Sequence, residues 1–308
     1  MAPALPPSVR PIVRGWLNSN IVVLRAPGDN VVIDSGYCSH REETLRLLAG
    51  PAGLEGEPVE RLVNTHCHSD HMGGNAAIAS AYGCRVAIPE GEVKHVVPWT
   101  PQSVWMANFD QRADPFHFDD TIAAGDTFEA GGFTWQAHAA PGHDMDALVY
   151  FEPRNRILVS GDALWENGMG FVWPEERSSA GIDEARAALD TIERLEPAAV
   201  IPGHGSPFSD VGAALARARA RLDAFAADPR RNARHALKVL FTFALLDKGS
   251  MPVAEVERYV ARIPCYRELS DRFLGLDAPA LARSMLADLE KAGAIAIRDG
   301  IVRPTMAA

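Results

Sequence analysis

The stretch "NTHCHSDHMGGN", residues 64 to 75, places three histidines and one aspartate within six positions. The chain has 308 residues and only ten histidines, so chance does not explain this crowding. His66 and His68 lie two residues apart, and an extended backbone projects both side chains to the same side. Asp70 and His71 are adjacent and must point differently once the chain turns. Imidazole and carboxylate ligands suit zinc, and also iron or manganese, so the stretch predicts a metal site.

Three later loops supply candidates for the missing ligands: His143 in "PGH", Asp162 in "SGD" and His204 in "PGHG". Each loop follows an apolar strand and is flanked by glycine. The predicted ligands then form one group for each of two ions, with Asp162 available as a bridge: His66, His68 and His143 for the first, and Asp70, His71 and His204 for the second. Positions for water would remain open, as catalytic sites require. We therefore expect two divalent ions, zinc before iron or manganese.

Around these motifs the pattern predicts strands with interspersed helices, which is a mixed α/β layered architecture. Residues 20–36 indicate a β-hairpin, and a second hairpin turns at Pro153-Arg154-Asn155. Two further strands flank Gly131-Gly132, and a helix is predicted after Gly74. Residues 98–120 have the irregular, aromatic and acidic character of a long surface insertion. The candidate ligands all follow strands, and loops on a rigid sheet commonly carry binding residues.

The character of the chain changes after residue 210. Helices are predicted for 211–227 and for three later stretches near 231–247, 252–262 and 279–292, before a hairpin around Asp299-Gly300. Helices followed by a terminal hairpin are typical of a winged helix. We therefore predict a catalytic domain over residues 1–210 and a smaller helical, winged-helix-like domain over residues 211–308.

The metal motifs resemble those of the metallo-β-lactamase-fold superfamily of hydrolases, in order, over roughly residues 15–210. The resemblance implies an αββα sandwich with metals at one edge of the sheets, and the ligand assignment given above. It also implies that Asp162 bridges the ions, as in members similar to glyoxalase II, and that Asp34 in "VVIDSG" supports the metal loop from behind. The reaction it implies is hydrolysis by a metal-bridging hydroxide. Asp70 could orient that hydroxide or pass its proton to the leaving group.

Composition narrows the function further. The net charge is −10, with +5 on residues 211–308 and −15 on residues 1–210, which argues against a broad nucleic-acid surface. No apolar run approaches the ~20 residues of a membrane-spanning helix, and no secretory signal is expected. The four scattered cysteines favour a reduced, cytoplasmic setting. We expect a small-molecule substrate and no membrane partner, and leave a homodimer open.

The sequence specifies the metal site more closely than it specifies the bond that is cleaved. A thioester or other carboxylic ester ranks first, a lactone next and an RNA phosphodiester third, because members with a winged helix include an endoribonuclease. A sulfur dioxygenase with a single iron is a rival of another class. Trp165, Met169 and Trp173 follow the bridging aspartate closely, so they are predicted as walls of the substrate pocket as an alternative to core packing.

Overall fold

A computed structural model describes residues 3–100, 106–175 and 180–307 of the chain. Its first sheet has six strands in chain order: β1 (Val9–Ile12), β2 (Ile21–Leu24), β3 (Val31–Ile33), β4 (Arg61–Val63), β5 (Arg85–Pro89) and β6 (Asp120–Ile122). The predicted hairpin is confirmed, since β2 and β3 pair antiparallel. From β3 to β6 the strands run parallel, so their carboxyl ends meet at one edge.

The second sheet has five strands, in the spatial order β11-β10-β9-β8-β7. Their bounds are β7 (Thr127–Ala130), β8 (Phe133–Ala139), β9 (Leu148–Glu152), β10 (Ile157–Gly161) and β11 (Ala199–Pro202). The two strands predicted around Gly131-Gly132 are β7 and β8, which pair with each other, and the hairpin predicted at Pro153-Arg154-Asn155 is β9 paired with β10. Because β11 joins β10 in parallel, Gly161 and Pro202 end side by side.

The two sheets pack face to face over a shared apolar core, as alternation along the strands dictates. Val22 and Leu24 of β2 point inward, and they join a cluster with Trp135, Tyr150 and other residues of the second sheet. Ile21 and Val23 of the same strand belong instead to a cluster on the outer face. Each sheet is therefore apolar on both faces and must be covered by helices.

Helices cover both outer faces. In chain order they are α1 (Arg41–Ala49), α2 (Ser69–Met72), α3 (Asn75–Tyr82), α4 (Val93–Val96), α5 (Met106–Phe109), α6 (Ala180–Leu195) and α7 (Val211–Ala227). Leu48 of α1 and Ile78 of α3 pack on the first sheet, whereas Leu189 of α6 and Leu222 of α7 pack on the second. The result is the αββα sandwich that the motifs implied.

The end of the chain has its own core. It contains α8 (Pro229–Lys248), α9 (Val253–Arg262), α10 (Pro264–Leu269), a π-helical segment (Ser270–Leu274) and α11 (Ala278–Lys291), followed by a β-hairpin. That hairpin, β13 (Ile295–Arg298) with β14 (Ile301–Pro304), gains the short strand β12 (Met251–Pro252) against β14. The helical C-terminal region is confirmed, while its winged-helix assignment and the domain boundary after residue 210 stay predictions.

Of residues 98–120, the predicted surface insertion, 101–105 lie outside the described residues, and the described remainder is less detached than an insertion. Trp99, Phe116 and Phe118 pack against the outer core of the first sheet, because these large apolar rings can be removed from water there. Within the described ranges, no helix is long and apolar enough to span a bilayer.

Candidate metal centre

Four strand ends deliver the predicted ligands to one place. His66 follows β4, His143 follows β8, Asp162 directly follows β10, and His204 follows β11. The seven residues form two adjacent groups, and within each group one donor atom from every member lies within 4.8 Å of the others. These groups are His66, His68 and His143, and then Asp70, His71, Asp162 and His204. Residues that are far apart in the sequence thus converge as the motifs predicted.

In the first group, hydrogen bonds fix which nitrogens face the centre. His143 Nδ1 donates to the backbone oxygen of Phe171 at 2.7 Å, which leaves Nε2 as a lone-pair donor. That Nε2 lies 2.9 Å from Nδ1 of His68. The other nitrogen of His68, Nε2, faces the carboxylate of Asp144 at 3.4 Å. The inward nitrogens are thus Nδ1 of His68 and Nε2 of His143.

Asp34 fixes the orientation of His71 in the second group. Its Oδ2 accepts a hydrogen bond from His71 Nδ1 at 2.8 Å, and its Oδ1 accepts one from the backbone N–H of Thr65 at 2.8 Å. Asp34 adopts a φ of 59°, a left-handed conformation that aspartate tolerates better than most residues. The supporting contact that the resemblance implied for Asp34 is therefore present, and it turns Nε2 of His71 toward the centre.

Asp162 lies between the two groups and presents one oxygen to each. Its Oδ2 is 3.4 Å from His143 Nε2 in the first group. Its Oδ1 is 3.4 Å from His71 Nε2 and 3.8 Å from His204 Nε2 in the second. The indole N–H of Trp165 also donates to Oδ1, at 3.1 Å. This is the arrangement that a bridging carboxylate needs.

Two glycines make room for this carboxylate. A Cβ on Gly203 would lie 2.2 Å from Asp162 Oδ1, and one on Gly170 would lie 2.6 Å from the imidazole of His143. Neither glycine has a φ in the left-handed region. The space, and not backbone conformation, is therefore what requires glycine at these positions.

Charges in the centre are divided between carboxylates and imidazoles. Burial opposes ionisation of Asp162, but His204 and His71 hold the pKa of its carboxyl well below the usual range. Burial, with the neighbouring His71 and His68, pushes the pKa of His66 well below its usual value. His66 is thus neutral and Asp162 is ionised, which are the protonation states in which these side chains bind metals.

The donor set fits divalent metal ions. Nε2 of both His66 and His71 is buried without a hydrogen-bond partner among the described residues, and such an orphaned buried nitrogen is costly unless something occupies it. Nitrogen and carboxylate donors in sets of three or four are typical of zinc, and iron and manganese accept them too. Of the ligands, Asp70 also contacts its group member His204, with 3.0 Å between Oδ2 and Nε2.

A cavity of about 360 Å³ opens onto these groups. Trp165 and Met169, predicted as pocket walls, both line it. Trp173, predicted with them, does not. It packs instead on Phe109, 5.5 Å between ring centroids, and on the C-terminal core, where its large apolar ring is removed from water.

Several residues of this cavity carried no signal in the sequence. The ring of Trp16 stacks on that of His204 at 5.6 Å and an interplanar angle of 2°, and Trp165 meets both rings edge-on. Further walls come from Gln111 and from helix α8. A wall that forms by tertiary packing leaves no local motif, so only the aromatic run after Asp162 was detectable.

A comparison with known families agrees with this geometry. Residues 14–204 match the model of the metallo-beta-lactamase superfamily, which covers more than half of the chain. The chain belongs to the metallo-beta-lactamase superfamily. The resemblance seen in the motifs is thereby confirmed.

Curated relatives match over parts of the chain. A hydroxyacylglutathione hydrolase of Hyphomonas neptunium is 30% identical over 115 residues, which cover 37% of this chain and 38% of that protein. The acyl-coenzyme A thioesterase MBLAC2 of Gallus gallus is 26% identical over 207 residues, covering 62% of this chain and 73% of the relative. The chain thus spans well under half the length of the hydroxyacylglutathione hydrolase that it matches.

Solved structures share the fold over nearly the whole chain. A metallo-beta-lactamase family protein from Thermus thermophilus superposes with a TM-score of 0.56 at 20% identity, covering 98% of this chain and 100% of that one. A beta-lactamase domain protein from Burkholderia ambifaria gives a TM-score of 0.59 at 22% identity, with coverages of 100% and 94%. At these identities the likeness shows the fold alone.

Proposed function

We propose that this protein is a metal-dependent hydrolase that cleaves thioesters, with two divalent ions held by the seven converging side chains. The observation that carries the proposal is the position of Asp162, whose two oxygens face different ligand groups at 3.4 Å each. A carboxylate in that position would serve two ions at once, and open coordination sites are typical of catalytic centres.

His66, His68 and His143 would hold one ion, and Asp70, His71 and His204 the other, with Asp162 shared. When bound, the two ions would supply a water molecule that ionises near neutral pH and a positive charge beside the attacked carbonyl. Zinc is the first choice for this donor set.

The chain's own residues orient the reactants. Asp70 lines the cavity, and we assign it the role of orienting the attacking water and accepting its proton. Trp165 and Trp16 border the same space, and both rings contact that of His204. A thiolate leaving group needs little protonation, because a thiol has a pKa of ~8.5. The site therefore requires no strong general acid to cleave a thioester.

Two relatives support the thioester over other acyl substrates. One bears the name hydroxyacylglutathione hydrolase and the other acyl-coenzyme A thioesterase, and both names describe thioester cleavage. Their matches cover 37% and 62% of the chain, so they support the bond type and leave the acyl group and the thiol open.

The test is a hydrolysis panel on metal-loaded protein, with thioesters, a lactone, a β-lactam and an RNA phosphodiester measured side by side. We expect release of free thiol to dominate, and expect Asp162→Asn to reduce it by at least ~100-fold, since the shared ligand is lost while its shape is kept. Arg234→Met, an exposed substitution on α8, is the control and should retain the activity.

Other outcomes of the panel have definite meanings. A dominant lactone or phosphodiester rate would replace the thioester proposal within the same metal chemistry. Oxygen uptake with a persulfide, together with one iron per chain, would replace it by a sulfur dioxygenase. Turnover of none of these compounds by a fully metal-loaded protein would contradict the proposed hydrolase.

A further inference from the structure

Helix α8 of the C-terminal region lines the cavity with one continuous stripe. Most of its lining residues recur every three or four positions, which places them on one face of a helix: His235, Lys238, Val239, Thr242, Phe243 and Leu246. Leu240, a residue of the C-terminal core, also borders the cavity. The residues of α8 between them, such as Leu237 and Phe241, pack into the C-terminal core. The region after residue 210 therefore builds the wall that faces the metal ligands.

Most of this wall is apolar. Phe243 and Leu246 of α8, Leu289 of α11 and Phe109 of α5 all border the cavity, as does Met306. Its volume of about 360 Å³ lies within the range of small-molecule sites, ~300–1,000 Å³. An apolar segment of a substrate can be buried here, next to the candidate metal ligands that line the same cavity.

Two cationic side chains interrupt the apolar lining, Arg221 of α7 and Lys238 of α8. Arg221 donates to the backbone oxygen of Asn167 at 2.9 Å, and it forms no ion pair with a carboxylate of the described residues. Lys238 has only a distant carboxylate, that of Asp288, at 3.9 Å and half-exposed. Neither positive charge is compensated from within the cavity.

The positive charges of Arg221 and Lys238 both affect the pKa of the neighbouring His235. Burial, followed by the charges of Arg221, Lys238 and Arg231, lowers the pKa of His235 to about 4. Burial also lowers the pKa of the Arg221 guanidinium. A partly buried cation without a carboxylate partner is costly, and an anion in the cavity would offset that cost.

We propose that the substrate is a thioester with an anionic group separated from the thioester bond by an apolar segment, and that Lys238 and Arg221 bind that anion. This inference rests on the proposed function, since it names the substrate class of the same site. The anion has two chemical sources: a carboxylate at the far end of the acyl chain, or a phosphate on the thiol. Both offer oxygens that accept from ammonium and guanidinium groups.

Three thioesters of one chain length separate these sources in the metal-loaded protein. Octanoyl-N-acetylcysteamine is neutral, its octanedioyl counterpart adds a carboxylate to the acyl chain, and octanoyl-coenzyme A adds phosphates to the thiol. We expect kcat/KM for one of the charged thioesters to exceed that of the neutral one by at least ~10-fold, about the effect of one charge-assisted contact. Lys238→Met should lower the charged substrate's kcat/KM at least tenfold more than the neutral one's.

Arg234→Met is the matched control, because it removes the same charge from the same helix at an exposed position that does not line the cavity. It should preserve the preference for the charged thioester. Lys238→Glu should reverse that preference. Equal kcat/KM values for the three thioesters, or an equal loss of preference in Arg234→Met and Lys238→Met, would overturn the inference.

A binding measurement keeps the inference testable if thioesters are not the substrates. By titration calorimetry, octanedioate should bind wild type more tightly than octanoate, or coenzyme A more tightly than N-acetylcysteamine, by at least tenfold. Lys238→Met should remove that advantage. Tight anion binding without thioester turnover would refute the proposed function and keep only the anion site at Lys238 and Arg221, whereas turnover without any anion preference would refute only this inference.

Discussion

Gly203→Ala tests the bridging position of Asp162 without changing any ligand. The new Cβ would lie 2.2 Å from Asp162 Oδ1 and 2.9 Å from Cε1 of His71. The φ of Gly203 is outside the left-handed region, so alanine is compatible with the backbone and only the clash matters. Ordinary contacts of a Cβ begin near 3.4 Å. The carboxylate oxygen must therefore move by about 1 Å, as close packing leaves it no other adjustment.

A shift of that size has a predictable cost. Misplacement of a reacting or binding group by ~1 Å lowers rates by roughly 100-fold, and the strain of overpacking destabilises a protein by about 1–3 kcal/mol. We expect Gly203→Ala to bind metal at least ~10-fold more weakly than wild type and to lose about 100-fold in hydrolysis.

The assay is metal content after dialysis against a competing chelator, with denaturant unfolding of the metal-free protein. Gly212→Ala is the control, because a Cβ there has nothing within 4 Å and the residue lies in helix α7. It should keep its metal and gain about 0.5–1 kcal/mol of stability from helix propensity. Wild-type metal retention by Gly203→Ala would refute the placement of Asp162 between the two groups.

Three further substitutions address separate contacts. Asp34→Asn keeps the shape but has a single acceptor oxygen, so it cannot accept from both His71 Nδ1 and the Thr65 N–H, and metal affinity should fall ~10–100-fold in a chelator competition; unchanged affinity would show that Asp34 does not support His71. Trp165→Phe removes the indole donor to Asp162, so kcat/KM should fall about tenfold while the unfolding midpoint stays near that of wild type; a wild-type rate would show that this donor is dispensable. The pKa of His235 is about 4 in the folded protein, lowered from 6.5. Between these two pH values the unfolded chain binds a proton that the folded chain does not bind, so wild type loses stability as the pH falls from about 6.5 to 4. His235→Gln should reduce that loss, measured by urea unfolding, by about 2–3 kcal/mol, and parallel pH profiles would contradict it.

The convergence of the candidate ligands was predictable from sequence because each motif follows a strand, and the three later ones, at His143, Asp162 and His204, adjoin a glycine. Strands β8, β10 and β11 end at one edge of the second sheet, and the motif after β4 of the first sheet meets theirs there. Alternating apolar residues likewise revealed the hairpins, and the helix after Gly74 was confirmed as α3, ending at the left-handed Gly83.

The pocket was much less predictable. Trp16 reaches His204 only because the folded chain brings residues 16 and 204 together, and the role of α8 depends on how the C-terminal core packs on the sandwich. Trp173 was predicted as a pocket wall from its position after Asp162, yet it packs on the C-terminal core, because an apolar ring is equally suited to either place. Short elements such as β12 and the π-helical segment also lack a periodicity long enough to detect.

Metal stoichiometry measured by mass spectrometry on purified protein, titrated with Zn²⁺ in the presence of a weak chelator, is the most direct test of the shared centre. Two equivalents per chain are expected for wild type, and Asp162→Asn should weaken the binding of both together because both groups use its oxygens. Saturation at a single equivalent, or loss of only one of two equivalents in Asp162→Asn, would contradict a pair of ions bridged by this carboxylate.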